Sequence, residues 1–142
     1  VGLLRTEIDR SPTPELSMLD NLVDQCAEAG LNVSLEIRGA PRPLPAMLEL
    51  SGYRIVQESL TNALKHAGPD ATAAITLEYR DDALGIAIID DGRGAAADSS
   101  PTPGHGLLGM RERVEAFGGD LRTGPRVGGG FAVEATLPVG TS

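Results

Sequence analysis

The chain is predicted to fold as an α+β protein, a two-layer α/β sandwich in which helices cover one face of an open sheet. Three observations lead there. Apolar periodicity runs in the order helix, strand, helix, strand, strand, helix, strand, strand, without the sustained βαβ alternation that builds a parallel sheet. The segment LNVSLEIR alternates strictly, with Leu31, Val33, Leu35 and Ile37 against Asn32, Ser34, Glu36 and Arg38, the pattern of a strand with one wet face. A length of 142 residues, 41% of them hydrophobic, suffices for one domain with a single core.

Each element carries its own signal. Residues 1–12, VGLLRTEIDRSP, form a short apolar stub followed by charges and Pro12. The first helix is expected from Thr13 as N-cap, through Pro14 in the first turn, to Gly30 as the stop. Its apolar face is Leu16, Leu19, Leu22, Val23 and Cys26. That placement reads Cys26 as a core residue in preference to a reactive thiol. After the alternating strand, Pro41, Pro43 and Pro45 stiffen a loop. A long helix follows through AMLELSGYRIVQESLTNALKHAG, ending near Gly68. TAAITLEY and ALGIAIID are two strands joined by the turn Arg80-Asp81-Asp82. Leu107, Met110, Val114 and Phe117 then repeat at helical spacing up to Gly118. A short strand near Leu121 and the strand FAVEATLP close the chain, joined by the turn Gly128-Gly129-Gly130.

Composition narrows the function. Net charge is −8, so no basic stripe awaits a nucleic-acid backbone, and a polyanionic ligand needs local cations or a metal. One cysteine allows neither an internal disulfide nor a multi-cysteine metal site. No apolar run reaches the length of a membrane span and no signal peptide is visible. The expected setting is therefore soluble and cytoplasmic. A chain that starts at Val is expected to be a fragment of a longer protein.

Two places carry chemistry. On the long helix Arg54, Glu58, Asn62 and His66 are each four residues apart, with Lys65 three after Asn62. They form one stripe, while Leu48, Ile55, Val56, Leu60, Ala63 and Leu64 are assigned to the other side. A solvated helix face explains charges there, but Asn is a poor helix former and a surface has no need of it. An Asn carbonyl and a Glu one turn apart can hold a hydrated Mg²⁺, and Lys65 can meet a phosphate. The second place is Asp90, at the end of the apolar run GIAII. An Asp before Gly often only marks a turn. Gly92 and Gly94, however, permit close backbone approach to a planar ligand, and a carboxylate in an apolar pocket can accept the exocyclic amine proton of adenine.

The stretch from Gly104 to Gly109, GHGLLG, matches the dinucleotide fingerprint but fails its context. No strand precedes it, and the position twenty past Gly109 is another glycine. Its anion logic survives, because Gly106 opens a helix whose N-terminal amides can hold phosphate.

RIVQESLTNALKHA, DDGRG, GHGLLGMRERVEAFGG and GGGFAVEATLP, in this order and spacing, resemble the ATP-binding catalytic domain of bacterial sensor histidine kinases. The likeness is greatest to the subgroup of nitrate and membrane-lipid sensors, in the superfamily shared with gyrase and heat-shock chaperone ATPases. It covers roughly residues 13 to 138. The resemblance implies a left-handed Bergerat-type sandwich of mixed sheet and helices, with residues 13–142 as the catalytic domain. Residues 1–12 would then be the remnant of a dimerisation and phospho-acceptor region and its linker. It also implies Mg-ATP bound between the long helix and a lid, the loose segment between Gly94 and Gly104. By motif, Glu58 is catalytic, acting through water or polarising the attacking group, and Asn62 binds Mg²⁺. Lys65 and His66 lie near the phosphates, Asp90 takes the adenine amine, and Gly92 and Gly94 line the base. Gly104, His105, Gly106 and Leu107 form the phosphate-facing end of the lid. Phe131 departs from the pattern, standing where many relatives carry Thr.

The resemblance further implies transfer of the γ-phosphoryl group to a histidine on a dimerisation hairpin outside this chain, and from there to a response regulator. Neither His66 nor His105 is that acceptor, since both fall inside nucleotide-site motifs. The parent kinase is expected to be a dimer, membrane-anchored or not. An anti-sigma-factor-type serine kinase and a nucleotide-gated interaction module without phosphotransfer are the alternatives.

Overall fold

Five strands and three α-helices make up the computed structural model, which describes residues 14–66, 71–92, 105–127 and 129–139. A single 3₁₀ turn at Leu16–Met18 leads into α1 (Leu19–Glu28), followed by β1 (Asn32–Arg38) and α2 (Ala46–His66). The hairpin β2 (Thr72–Tyr79) and β3 (Ala83–Asp90) comes next, then α3 (His105–Ala116), β4 (Asp120–Pro125) and β5 (Phe131–Pro138). The strands form one sheet in the order β1-β2-β3-β5-β4, with β1 parallel to β2 and every other pair antiparallel. This is the mixed sheet of an α+β sandwich.

Register explains how the alternation becomes a core. Ala73, Ile75 and Leu77 of β2 lie opposite Asp90, Ile88 and Ile86 of β3, which lie opposite Phe131, Val133 and Ala135 of β5. The apolar members of these rows are buried or packed against the core. The intervening row, Ala74, Thr76, Ala87, Ile89, Ala132 and Glu134, belongs to the opposite face of the sheet. The helices follow the strands across the covered face. Helix α1 packs on β1, α2 on β2, β3 and β5, and α3 on β4 and β5. Leu48, Ile55, Val56 and Leu60 of α2 are essentially inaccessible. Each such side chain contributes roughly 1.5–3 kcal/mol by leaving water. Cys26 is buried in this core, and burial pushes its thiol pKa up, so it is not an activated nucleophile.

Departures from the expected elements have local causes. The first helix starts as a 3₁₀ turn at Leu16, and the expected cap Thr13 lies outside the described residues. Leu31 precedes β1 because its amide still bonds the carbonyl of Cys26. Leu64, assigned above to the buried side of the long helix, is 42% exposed. It stands near the C-terminal end of α2, just after Ala63, the last buried side chain of that helix among the described residues. Gly68, the expected stop, is outside the described residues. Among those residues no helix is long and apolar enough to cross a membrane.

Candidate functional site

The site is built where β3 runs out. Asp90 is its last residue, on the helix-covered face between Ala73 and Phe131, and only 7% exposed. Burial raises its pKa above the ordinary carboxylate range. The amides of Gly92 and Phe131 and the charge of Arg126 pull the other way, and neighbouring Asp91 adds repulsion. The bond from the Gly92 amide to Asp90 Oδ1 is 3.1 Å. A largely buried acceptor at a strand end is thus fixed in place with capacity for a further donor.

The glycine turn before β5 closes against this strand end. Gly130 has φ +95°, and a Cβ there would strike the carbonyl oxygen of Asp90. Only glycine combines that conformation with that approach. The turn is tied by the Arg126 amide to the Gly130 carbonyl, 2.9 Å, and by the Gly129 amide to the Arg126 carbonyl, 3.1 Å. Asp90 and Arg126 also border a groove of about 420 Å³ with Asn32, Val33, Thr72 and Ile89. Phe131 packs against the core.

Helix α2 brings the other set. Glu58 and Asn62 are half-buried, whereas Arg54 and Lys65 are exposed. Arg54 is turned along the helix to Gln57 Oε1, 2.8 Å, which removes it from the stripe. Ser59 and Thr61 return their hydroxyls to carbonyls one turn back. No hydrogen bond among the described residues uses the side chains of Glu58, Asn62 or Lys65. Among the described residues the polar capacity of Glu58, Asn62 and Lys65 therefore stays unused. Helix α3 packs on α2 through buried Met110, whose sulfur lies 3.8 Å from Ser59 Oγ. This brings the first turn of α3, with His105, Gly106 and Leu107, to the same side of the sheet as α2. Gly94 and Gly104, and the segment between them, lie outside the described residues; so do the side chains of His66, His105 and Leu107.

Three residues escape the sequence reading. Glu49, in the first turn of α2, accepts the amides of Leu16, 3.1 Å, and Leu44, 2.9 Å, binding the entering segment and the proline loop to the helix. An acid in a first turn is a visible signal, but its distant partner is not. Asp91 accepts the Thr72 amide at 2.7 Å and the Thr72 hydroxyl at 2.8 Å. Arg126 acts on Asp90 and Asp91 by charge alone, from the far side of the hairpin. Its place beside a glycine turn was the available clue.

The residues fit a magnesium nucleotide. Among the described residues no three His, Cys, Asp or Glu side chains cluster as a metal centre. Magnesium on a nucleotide does not require one, because it takes one or two protein oxygens and fills its shell with water and phosphate. Asn62 and Glu58 supply such oxygens without a hydrogen-bond partner among the described residues, and Asp90 supplies a buried acceptor beside a glycine-walled approach.

Residues 48–141 match the family described as histidine kinase-, DNA gyrase B- and HSP90-like ATPase. The sensor histidine kinase LnrJ of Bacillus subtilis is 36% identical over 135 residues, 95% of this chain and 32% of that protein. The nitrate/nitrite sensor protein NarX of Escherichia coli is 29% identical over 111 residues, 78% of this chain and 18% of NarX. The chain thus spans about a third or less of the length of the curated relatives it matches. Among solved structures, the histidine kinase domain of the Erythrobacter litoralis EL346 blue-light-activated kinase superposes with a TM-score of 0.69 at 20% identity. That match covers 91% of this chain and 65% of the other. The mycobacterial sensor histidine kinase MprB gives a TM-score of 0.61 at 21% identity, covering 85% of this chain and 95% of that one. These likenesses show the fold.

Proposed function

The chain belongs to the histidine kinase-, DNA gyrase B- and HSP90-like ATPase family, and on that premise we propose that it binds Mg-ATP and donates the γ-phosphoryl group to a histidine on a separate dimerisation hairpin. The observation that carries this reading is the pairing of a buried, fixed acceptor at Asp90 with the unspent polar stripe of α2. Asp90 accepts the adenine amine, and Gly92 lets the base approach the backbone. A guanine carbonyl in that position would be repelled. Asn62 holds the Mg²⁺, which when bound neutralises charge on the phosphate oxygens. Glu58 acts through water or polarises the attacking group, and Lys65 and the amides at the start of α3 meet phosphate. Phosphoryl transfer depends on positioning and charge neutralisation more than on covalent participation by the protein.

The longer protein is a two-component sensor kinase in this reading. This domain lies in the cytoplasm, where ATP is, and residues 1–12 lead from the acceptor region. The relatives named as sensor histidine kinases favour a histidine acceptor over a serine one.

The test follows from the two histidines of the chain, His66 and His105. With Mg-ATP alone the chain should form no acid-labile phosphohistidine. A histidine-bearing hairpin added in trans, or restored as the longer chain, should become labelled, and a serine-bearing partner protein should not. Labelling of the bare domain at His66 or His105 by mass spectrometry would refute the division of labour. Labelling of the serine partner would select the anti-sigma kinase, and tight nucleotide binding with transfer to neither would select a gated interaction module.

A further inference from the structure

Asp91 stands beside Asp90 in an opposite environment. Its carboxylate is exposed, yet both oxygens are spent on one residue, Thr72, through the amide at 2.7 Å and the hydroxyl at 2.8 Å. The Asp91 amide returns a bond to the Thr72 carbonyl, 3.1 Å. Three bonds between two residues at strand ends exceed what ladder pairing requires. These bonds hold the Asp91 carboxylate below the usual range. Thr72 opens β2, the first strand after α2, so it is where the chain returns from the helix bearing Glu58 and Asn62. On the other side, the Cα of Asp91 lies 3.1 Å from where a Gly130 Cβ would stand, so its backbone is part of the wall behind Asp90.

We propose that Asp91 is a positioning residue of the nucleotide site, locking the strand end that presents Asp90 to the start of β2 and so to the return from α2. This rests on the nucleotide reading above. Asp91 touches no ligand in it; it fixes where the Asp90 acceptor stands. A hydrogen bond to an exposed carboxylate contributes little to global stability, because water competes for both partners. Its effect on a binding geometry is larger, since a displaced acceptor loses its directional bond.

The experiment compares the unaltered chain with Asp91→Ala, Asp91→Asn and Thr72→Val. Calorimetric affinities for Mg-ADP and Mg-GDP are set beside thermal melts. Asp91→Ala should bind ADP about tenfold more weakly, the order of one net hydrogen bond, and its preference for ADP over GDP should shrink. Its cooperative melt should persist. Asp91→Asn should rescue both readouts, because an amide oxygen accepts the Thr72 amide and its NH₂ donates to the hydroxyl. Thr72→Val should show a smaller loss, and the double variant Asp91→Ala with Thr72→Val no more than Asp91→Ala alone. Should Asp91→Ala fail to fold, Thr72→Val, which deletes one bond, carries the same comparison. A lower melting temperature with unchanged affinity and base preference would reduce Asp91 to a structural tie and overturn the proposal, as would an Asp91→Asn variant as impaired as Asp91→Ala. If the unaltered chain binds ADP no better than GDP, the nucleotide reading itself fails, and the proposal with it.

Discussion

The two halves of the proposed site differ in what they have already spent. At the end of β3 most groups are already bonded within the fold, and Asp90 keeps room for one further donor. Asp90 is bonded by Gly92, Asp91 by Thr72, and Gly130 is pressed against the Asp90 backbone. On α2 the reverse holds, and Glu58, Asn62 and Lys65 use none of their side-chain capacity within the described residues. The buried part of the strand half, Asp90 and Gly130, is therefore part of the fold, and changes there should alter stability and binding together. The helix half is mounted on the fold, and changes there should alter binding alone.

Gly130→Ala should have the largest effect. A side chain in a left-handed conformation, against backbone with nowhere to move, costs about 2–4 kcal/mol. Thermal denaturation should show a melting temperature lower by roughly 10 °C, with nucleotide affinity lost alongside. An alanine variant that melts like the parent would mean the turn does not brace Asp90.

Asp90→Asn separates stability from binding on the strand half itself. A charge-assisted bond of about 1.5–3 kcal/mol is lost, so ATP affinity should fall by one to two orders of magnitude in calorimetry. Stability at neutral pH should rise. Burial lifts the Asp90 pKa above its unfolded value, so the folded state holds that proton more tightly. The ionised carboxylate thus weakens the fold once pH climbs past the ordinary carboxylate range, fully so above the raised pKa. The advantage of the Asn variant should accordingly vanish as the pH drops below about 4. An Asn variant less stable than the parent at pH 7 would contradict the burial argument.

Asn62→Ala should leave the melt within about 0.5 kcal/mol of the parent, since Ala suits a helix better than Asn and no hydrogen bond among the described residues is broken. Binding of Mg-ATP should weaken, while ADP without magnesium binds as before. An equal loss with and without metal would place Asn62 in the fold and erase the contrast between the halves.

The same contrast decides what was legible in the sequence. The strands TAAITLEY and FAVEATLP were readable to the residue, because period-two alternation is itself the burial pattern, and ALGIAIID was readable as a short apolar run after a turn. The burial of Asp90 at a strand end and the shared helix of Glu58 and Asn62 were expected from residue type and spacing, whereas Arg54 turns along the helix to Gln57. What escaped depends on chain segments meeting in space. Asp91 gained its role from Thr72, nineteen residues away, and Glu49 from Leu16, thirty-three away. Leu64 was misassigned because helical periodicity marks a face but not how far along the helix that face stays covered.

The most direct test of the two-sided site is a backbone NMR titration of the chain with Mg-ATP. If the nucleotide lies between α2 and the β3 end, amide shifts should concentrate at Glu58–Lys65, at Asp90–Gly92, at Arg126–Phe131 and at the start of α3. Glu36 and Glu134, on the uncovered face of the sheet, should stay still. Shifts centred on that face, with α2 and Asp90 unmoved, would contradict the account.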